Sequence, residues 1–132
     1  MSQENVEVVK ACYDLFARGD IQGVLRYVDP EGEVIESPRM PDAQTFQGHD
    51  GFVAAIEHWS GEFDDFQVEI ERLIDDRDAV IAYVRQCGRG MQSGVPVETR
   101  VANLYTFRGG RIARWEMFLT LEEALEAAGL RE

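Results

Sequence analysis

A single α+β domain, with a strongly bent antiparallel sheet wrapped around an N-terminal helix, is the fold class this sequence predicts. Three observations carry that prediction. Apolar residues recur at helical spacing through most of residues 3–60 and at period two through most of residues 65–119, so helices and strands are segregated along the chain. Residues 96–119 read as a hairpin. Val97, Thr99, Val101, Asn103, Tyr105 and Phe107 alternate before Gly109-Gly110, and Ala113, Trp115, Met117 and Leu119 alternate after it. On the helix at 3–18, Val6, Val8, Val9, Cys12, Tyr13, Leu15, Phe16 and Ala17 form one wide apolar arc, which needs cover from more than one direction.

Each element has its own signal. Gly19 is placed to end the first helix and Asp20 to cap the next, over 21–28, where Ile21, Val24, Leu25 and Val28 keep i, i+3, i+4, i+7 spacing. Asp29-Pro30-Glu31-Gly32 reads as a turn and 33–36 as a short strand stopped by Ser37-Pro38. Residues 39–47 carry little periodicity and read as a loop. A third helix over 48–60 sets Phe52, Ala55, Ile56 and Trp59 on one face. From Asp65 the alternation is that of a strand; 75–78 is a charged turn, 79–89 the next strand and 90–94 the turn into the hairpin. The last helix opens on a Thr120/Glu123 capping box, carries Leu121, Ala124, Leu125 and Ala128 on one stripe, and stops at Gly129.

Composition narrows the function classes. The 132 residues make one domain able to bury a core without disulfides or metal. A net charge of −12 repels phosphate, so neither nucleic acid nor an anionic membrane is an expected partner. Cys12 and Cys87 fit no metal or redox spacing and fall within apolar patterns, as small packed hydrophobes do. With no basic and apolar leader at the N-terminus and no apolar run of spanning length, the expected setting is a reducing cytoplasm.

Three stretches carry a resemblance that covers nearly the whole chain, 1–132: YDLFARGDIQGVL at 13–25, FQGHDGF at 46–52 and YTFRGGRIARWE at 105–116; the tail LEEALEAAGL at 121–130 adds to it. The sequence resembles the SnoaL-like branch of the nuclear-transport-factor-2-like superfamily, and in particular bacterial members without an assigned reaction. The resemblance implies a conical barrel with its pocket at the open end, a small hydrophobic ligand, and a homodimer formed through the outer sheet face. Steroid-isomerase relatives set a carboxylate base immediately before a proline, with a tyrosine and a protonated aspartate as donors. Here Ser37 precedes Pro38 with Glu36 one position earlier, Asn103 stands at the position resembling the aspartate, and Tyr13 falls about one residue from the tyrosine position.

Asn103 is the sharpest candidate for chemistry. Its amide can donate to a ligand carbonyl or a developing oxyanion; the alternative is a buried amide satisfied by backbone or water. Glu36 is the candidate base if it points into the cavity, and a solvated edge carboxylate otherwise. Tyr13, Phe16, Trp59, Val101, Tyr105, Trp115 and Met117 are the candidate pocket walls, residues that serve equally as ordinary core. Arg85 and Arg100 are expected on the solvated or dimer face. His49 falls at a helix start near a pocket mouth, while His58, about 120° from the centre of its helix's apolar face, is expected at the surface. Ala102, Leu104, Ile112 and Phe118 form the apolar set of the opposite sheet face, from which the homodimer is expected. No metal motif, cofactor fingerprint or nucleophile motif is present in the sequence. Two functions remain open: a cofactor-free acid–base enzyme of cyclase, isomerase or hydrolase type acting on a carbonyl compound, and a non-catalytic ligand-binding or interaction module.

Overall fold

The computed structural model describes residues 2–61 and 63–130. Its elements, in order, are α1 (Ser2–Ala17), α2 (Ile21–Leu25), β1 (Val28–Ile35), β2 (Thr45–Gln47), α3 (Gly48–Ser60), β3 (Phe63–Asp76), β4 (Ala79–Gly90), β5 (Pro96–Arg108), β6 (Arg111–Phe118) and α4 (Leu121–Ala127). Local chemistry explains the boundaries. Gly19 takes a φ of +79°, open to glycine without strain, and the Asp20 carboxylate accepts from Gly23 N at 2.9 Å to start α2. Thr120 Oγ1 accepts from Glu123 N at 3.2 Å to start α4, and Leu130 N closes its end on Leu125 O at 2.8 Å. No helix among the described residues is long and apolar enough to cross a membrane.

The six strands form one sheet in the order β2-β1-β6-β5-β4-β3. The run β3 to β6 is antiparallel by hairpins, as the alternation predicts. Two differences lie at the other edge. Residues 45–47, expected in a loop, form β2 and pair antiparallel with β1. In turn, β1 joins β6 in parallel and starts at Val28, not at 33. The turn-like residues 29–32 are absorbed as a register irregularity between Val28 and Glu33. Gly32 permits this: a Cβ there would lie 3.2 Å from the Phe52 ring and 3.3 Å from Ala113 O.

The helices and the bent sheet enclose one main core. Val9 of α1, Phe52 and Ala55 of α3, and Val80, Ala82, Val84, Val101, Tyr105 and Phe107 of the sheet are all buried in it. Val97 and Thr99, expected on the same inner face, are exposed, because β5 continues past the helices that cover its neighbours. Behind the sheet, α4 covers a second cluster of Ile81, Ala102, Leu104, Ala124 and Leu125, with Phe118 packed against it. This corrects the apolar patch read from the sequence. Ala102, Leu104 and Phe118 are occupied by the chain's own last helix, and Ile112 is buried on the inner side. Ile112 faces inward because the β5/β6 register shifts between Thr106 and Phe107: Phe107 pairs with Ile112 and Thr106 with Arg114, which leaves Ala113 as the extra residue of a bulge.

Candidate functional site

A cavity of about 90 Å³ opens between the helices and the inner face of the sheet. Tyr13, Cys12 and Phe16 reach it from α1; Phe52, Ile56 and Trp59 from α3; Gln86, Asn103, Tyr105, Ile112 and Trp115 from the sheet. Period two puts Asn103 and Tyr105 on one face of β5, and the antiparallel register sets Trp115 opposite Tyr105. Past the bulge at Ala113 the strand resumes its alternation, so Ile112 and Trp115 both turn inward.

Four side chains in this wall are linked by hydrogen bonds. Trp115 Nε1 donates to Asn103 Oδ1 at 3.0 Å, and Asn103 Nδ2 donates to Tyr13 Oη at 2.9 Å. The Tyr13 and Tyr105 hydroxyls lie 2.7 Å apart. Ring contacts hold the same groups: Tyr13 meets Tyr105 edge-on with centroids 6.3 Å apart, and Tyr105 and Trp115 lie 6.0 Å apart. Burial pushes the Tyr13 hydroxyl up to about 12 and the Tyr105 hydroxyl well above its ordinary value. It likewise raises the Cys12 thiol to about 12. At neutral pH all three are protonated, so the tyrosines act as neutral hydrogen-bonding groups and Cys12 as an inert wall.

A count of protons shows what the chain of bonds can still do. Asn103 Nδ2 has already taken one lone pair of Tyr13 Oη. A single hydrogen bond joins the two hydroxyls, so one of their two protons fills it. Whichever tyrosine donates, one hydroxyl proton is left over, on a residue that lines the cavity.

Asn103 is 3% exposed; it is a buried amide bonded to the Trp115 and Tyr13 side chains, and it lines the cavity. Tyr13, Phe16, Trp59, Tyr105 and Trp115 also line it. Val101 and Met117, expected in the wall, are buried core residues outside the lining. Glu36, the candidate base were it aimed into the cavity and a solvated edge carboxylate otherwise, is neither: it is absent from the lining and buried. It is 4% exposed; its Oε1 accepts from Gln44 N at 2.9 Å and its Oε2 lies 3.6 Å from His58 Nε2. The carboxylate pins the 36–44 loop to the end of β1 because Glu36 and Gln44 face each other where that loop closes.

His58 accordingly faces Glu36 while remaining half exposed, and His49 Nε2 pairs with Val28 O at 2.8 Å. Arg85 and Arg100 pair with Glu69, Glu71 and Glu98 on the exposed part of the sheet.

Sequence reasoning missed Gln86 and Phe66. Gln86 shows the same signal that singled out Asn103: one polar residue in the inward series Val80, Ala82, Val84 of β4. Phe66 reaches the cavity through an irregularity of β3 between Asp64 and Gln67, where Asp65 takes a φ of +55°. Gly88 accommodates that bend; a Cβ there would come within 3.1 Å of Phe63 Cβ.

Comparison with known proteins agrees with this architecture. The family profile of the SnoaL-like domain matches residues 9–115. An uncharacterized protein of Mycobacterium tuberculosis is 27% identical over 124 residues, covering 93% of this chain and 94% of its own. An NTF2-like protein of unknown function from Burkholderia pseudomallei superposes with a TM-score of 0.78 at 21% identity, over 96% of this chain and 97% of that one. A putative SnoaL-like polyketide cyclase from a Jannaschia species superposes with a TM-score of 0.79 at 20% identity, over 100% and 96%.

Proposed function

The chain belongs to the SnoaL-like family, and on that footing we propose that its cavity binds a small, neutral, largely apolar molecule through one acceptor oxygen, a carbonyl by preference. The observation that carries this reading is the surplus hydroxyl proton of the Tyr13/Tyr105 pair, held in a mostly apolar cavity whose other polar groups include the Asn103 and Gln86 amides and the Trp59 indole N–H. A donor in such a place recognises an acceptor strongly, because water competes poorly for it. Neutrality of the ligand follows from the wall, whose lining among the described residues contains no Asp, Glu, Lys, Arg or His; an ion would enter unpaired. Compactness follows from the volume, about 90 Å³, which is well below the roughly 300–1,000 Å³ of drug-sized sites.

Binding is favoured over acid–base turnover because the ionisable groups of the lining among the described residues, Cys12, Tyr13 and Tyr105, are all protonated at neutral pH. None can serve as a base near pH 7. The test uses acetophenone and α-methylstyrene, in which C=CH2 replaces C=O at nearly constant shape. Methyl resonances of Val24, Val28, Ile56, Val68 and Ile112, all in the wall, report occupancy. The double variant Tyr13→Phe/Tyr105→Phe loses about five- to tenfold in affinity for the ketone, and the hydrocarbon keeps or gains affinity. An equal change for both ligands overturns the reading.

A further inference from the structure

We infer that Trp115 is a specificity-determining residue, acting by fixing the direction of the hydrogen bonds from Asn103 to the tyrosine pair and so making the site a donor. The inference rests on the proposed binding of an acceptor ligand, and it adds what sets that preference.

An indole nitrogen can only donate. Trp115 Nε1, 3.0 Å from the Asn103 side chain, therefore requires an oxygen there and turns the amide so that Nδ2 faces Tyr13 Oη. With the amide in this sense, one tyrosine proton is surplus. Turned over, the amide would present Oδ1 to Tyr13. Tyr13 would then donate to Asn103, Tyr105 would donate to Tyr13, and both hydroxyl protons would be spent within the wall. What faced the ligand would be a lone pair of Tyr105, suited to an alcohol or amine and not to a ketone. The two senses use the same heavy atoms at the same distances. Only the indole distinguishes them, and the contacts of Trp115 with Phe52 and Tyr105 hold the indole in place.

The experiment compares acetophenone with α-methylstyrene across variants, reading the ratio of their affinities. Damage to packing lowers both affinities together and leaves the ratio unchanged. Trp115→Phe keeps a ring and removes the donor; the ratio falls about threefold or more as the amide gains its second sense. Adding Asn103→Leu to Trp115→Phe removes the acceptor that draws the tyrosines inward, returns one proton to the pair, and restores the ratio. A ratio unchanged in Trp115→Phe, or one that fails to recover in the double variant, overturns the inference.

Should Trp115→Phe fail to fold, Asn103→Asp reads the same polarity without change of volume. Ionised, the carboxylate only accepts and the ketone preference disappears; protonated, it donates to Tyr13 and the preference returns. A preference that stays constant while the carbon-13 shift of that carboxyl reports its titration overturns the inference. The two levels separate cleanly. If Tyr13→Phe/Tyr105→Phe alters both ligands alike, the binding reading fails; if it selectively weakens the ketone and Trp115→Phe does not, only the role of Trp115 fails.

Discussion

Replacing Asn103 with Leu keeps approximate volume and removes the amide at the centre of the polar chain. Two hydrogen bonds disappear, from Trp115 Nε1 and to Tyr13 Oη. Tyr13 keeps Tyr105 as a partner, but Trp115 Nε1 has no other hydrogen bond among the described residues. Stranding a buried donor costs roughly 1–3 kcal/mol, and the lost bond on the Tyr13 side adds about 0.5–1.5. The apolar surface that Leu buries in place of the amide offsets about 1 kcal/mol of this. The expected net loss is about 2 kcal/mol, which for a chain of this length lowers Tm by about 6–8 °C. Urea unfolding followed by tryptophan fluorescence, with an unchanged m-value, supplies the free energy and calorimetry the Tm. A cycle with Trp115→Phe isolates the bond itself, with an expected coupling of about 1 kcal/mol. A loss below about 0.5 kcal/mol together with an additive cycle would refute the account of Asn103 as the hub of the chain.

Alkaline pH should destabilise the fold. The Cys12 thiol rises from 9.0, and the Tyr13 hydroxyl from 10.0, to about 12 on folding. The folded state therefore holds protons that the unfolded state releases. This contribution is complete below the unfolded values and is lost as pH rises toward 12, by up to about 1.4 kcal/mol per pH unit for each group. Denaturation between pH 9 and 11 checks it, and Cys12→Ala should show a shallower fall. Gly88→Ala should cost about 1–3 kcal/mol, because its methyl would meet Phe63 Cβ at 3.1 Å and Asp64 O at 3.2 Å, and should shift the cavity resonances through Phe66. Glu36→Ala should cost about 1–3 kcal/mol by removing the charge-assisted bond from Gln44 N, while leaving affinity for acetophenone unchanged. Urea unfolding and the same ligand titration check both.

Much of the cavity wall was legible in period two. A polar residue in an apolar alternating series marks a place where the inner face needs a partner, and Asn103 stood out by that rule. Gln86 obeys the same rule on β4, where it follows Val80, Ala82 and Val84 in the inward series. Bulges hid other members. Ala113 adds one residue to β6, so Ile112 changes face relative to strict alternation, and an alternation count assigns it to the wrong side.

The sequence by itself determined the element types outside residues 28–32 and 45–47, the antiparallel run from β3 to β6, and the tendency of α1 to be enclosed, since these follow from local periodicity, caps and turn residues. Only the tertiary structure decided that β1 lies parallel to β6, that α4 and not a second subunit's surface covers Ala102 and Leu104, and that Glu36 closes a loop away from the cavity. It alone decided, too, that Trp115, Asn103, Tyr13 and Tyr105 form one chain of bonds, with the two tyrosines 92 positions apart in sequence. The physical reason is the range of the interactions. Periodicity and capping are settled within a few neighbouring residues, whereas hydrogen bonds between side chains from different elements depend on how helices and sheet meet, which no local pattern records.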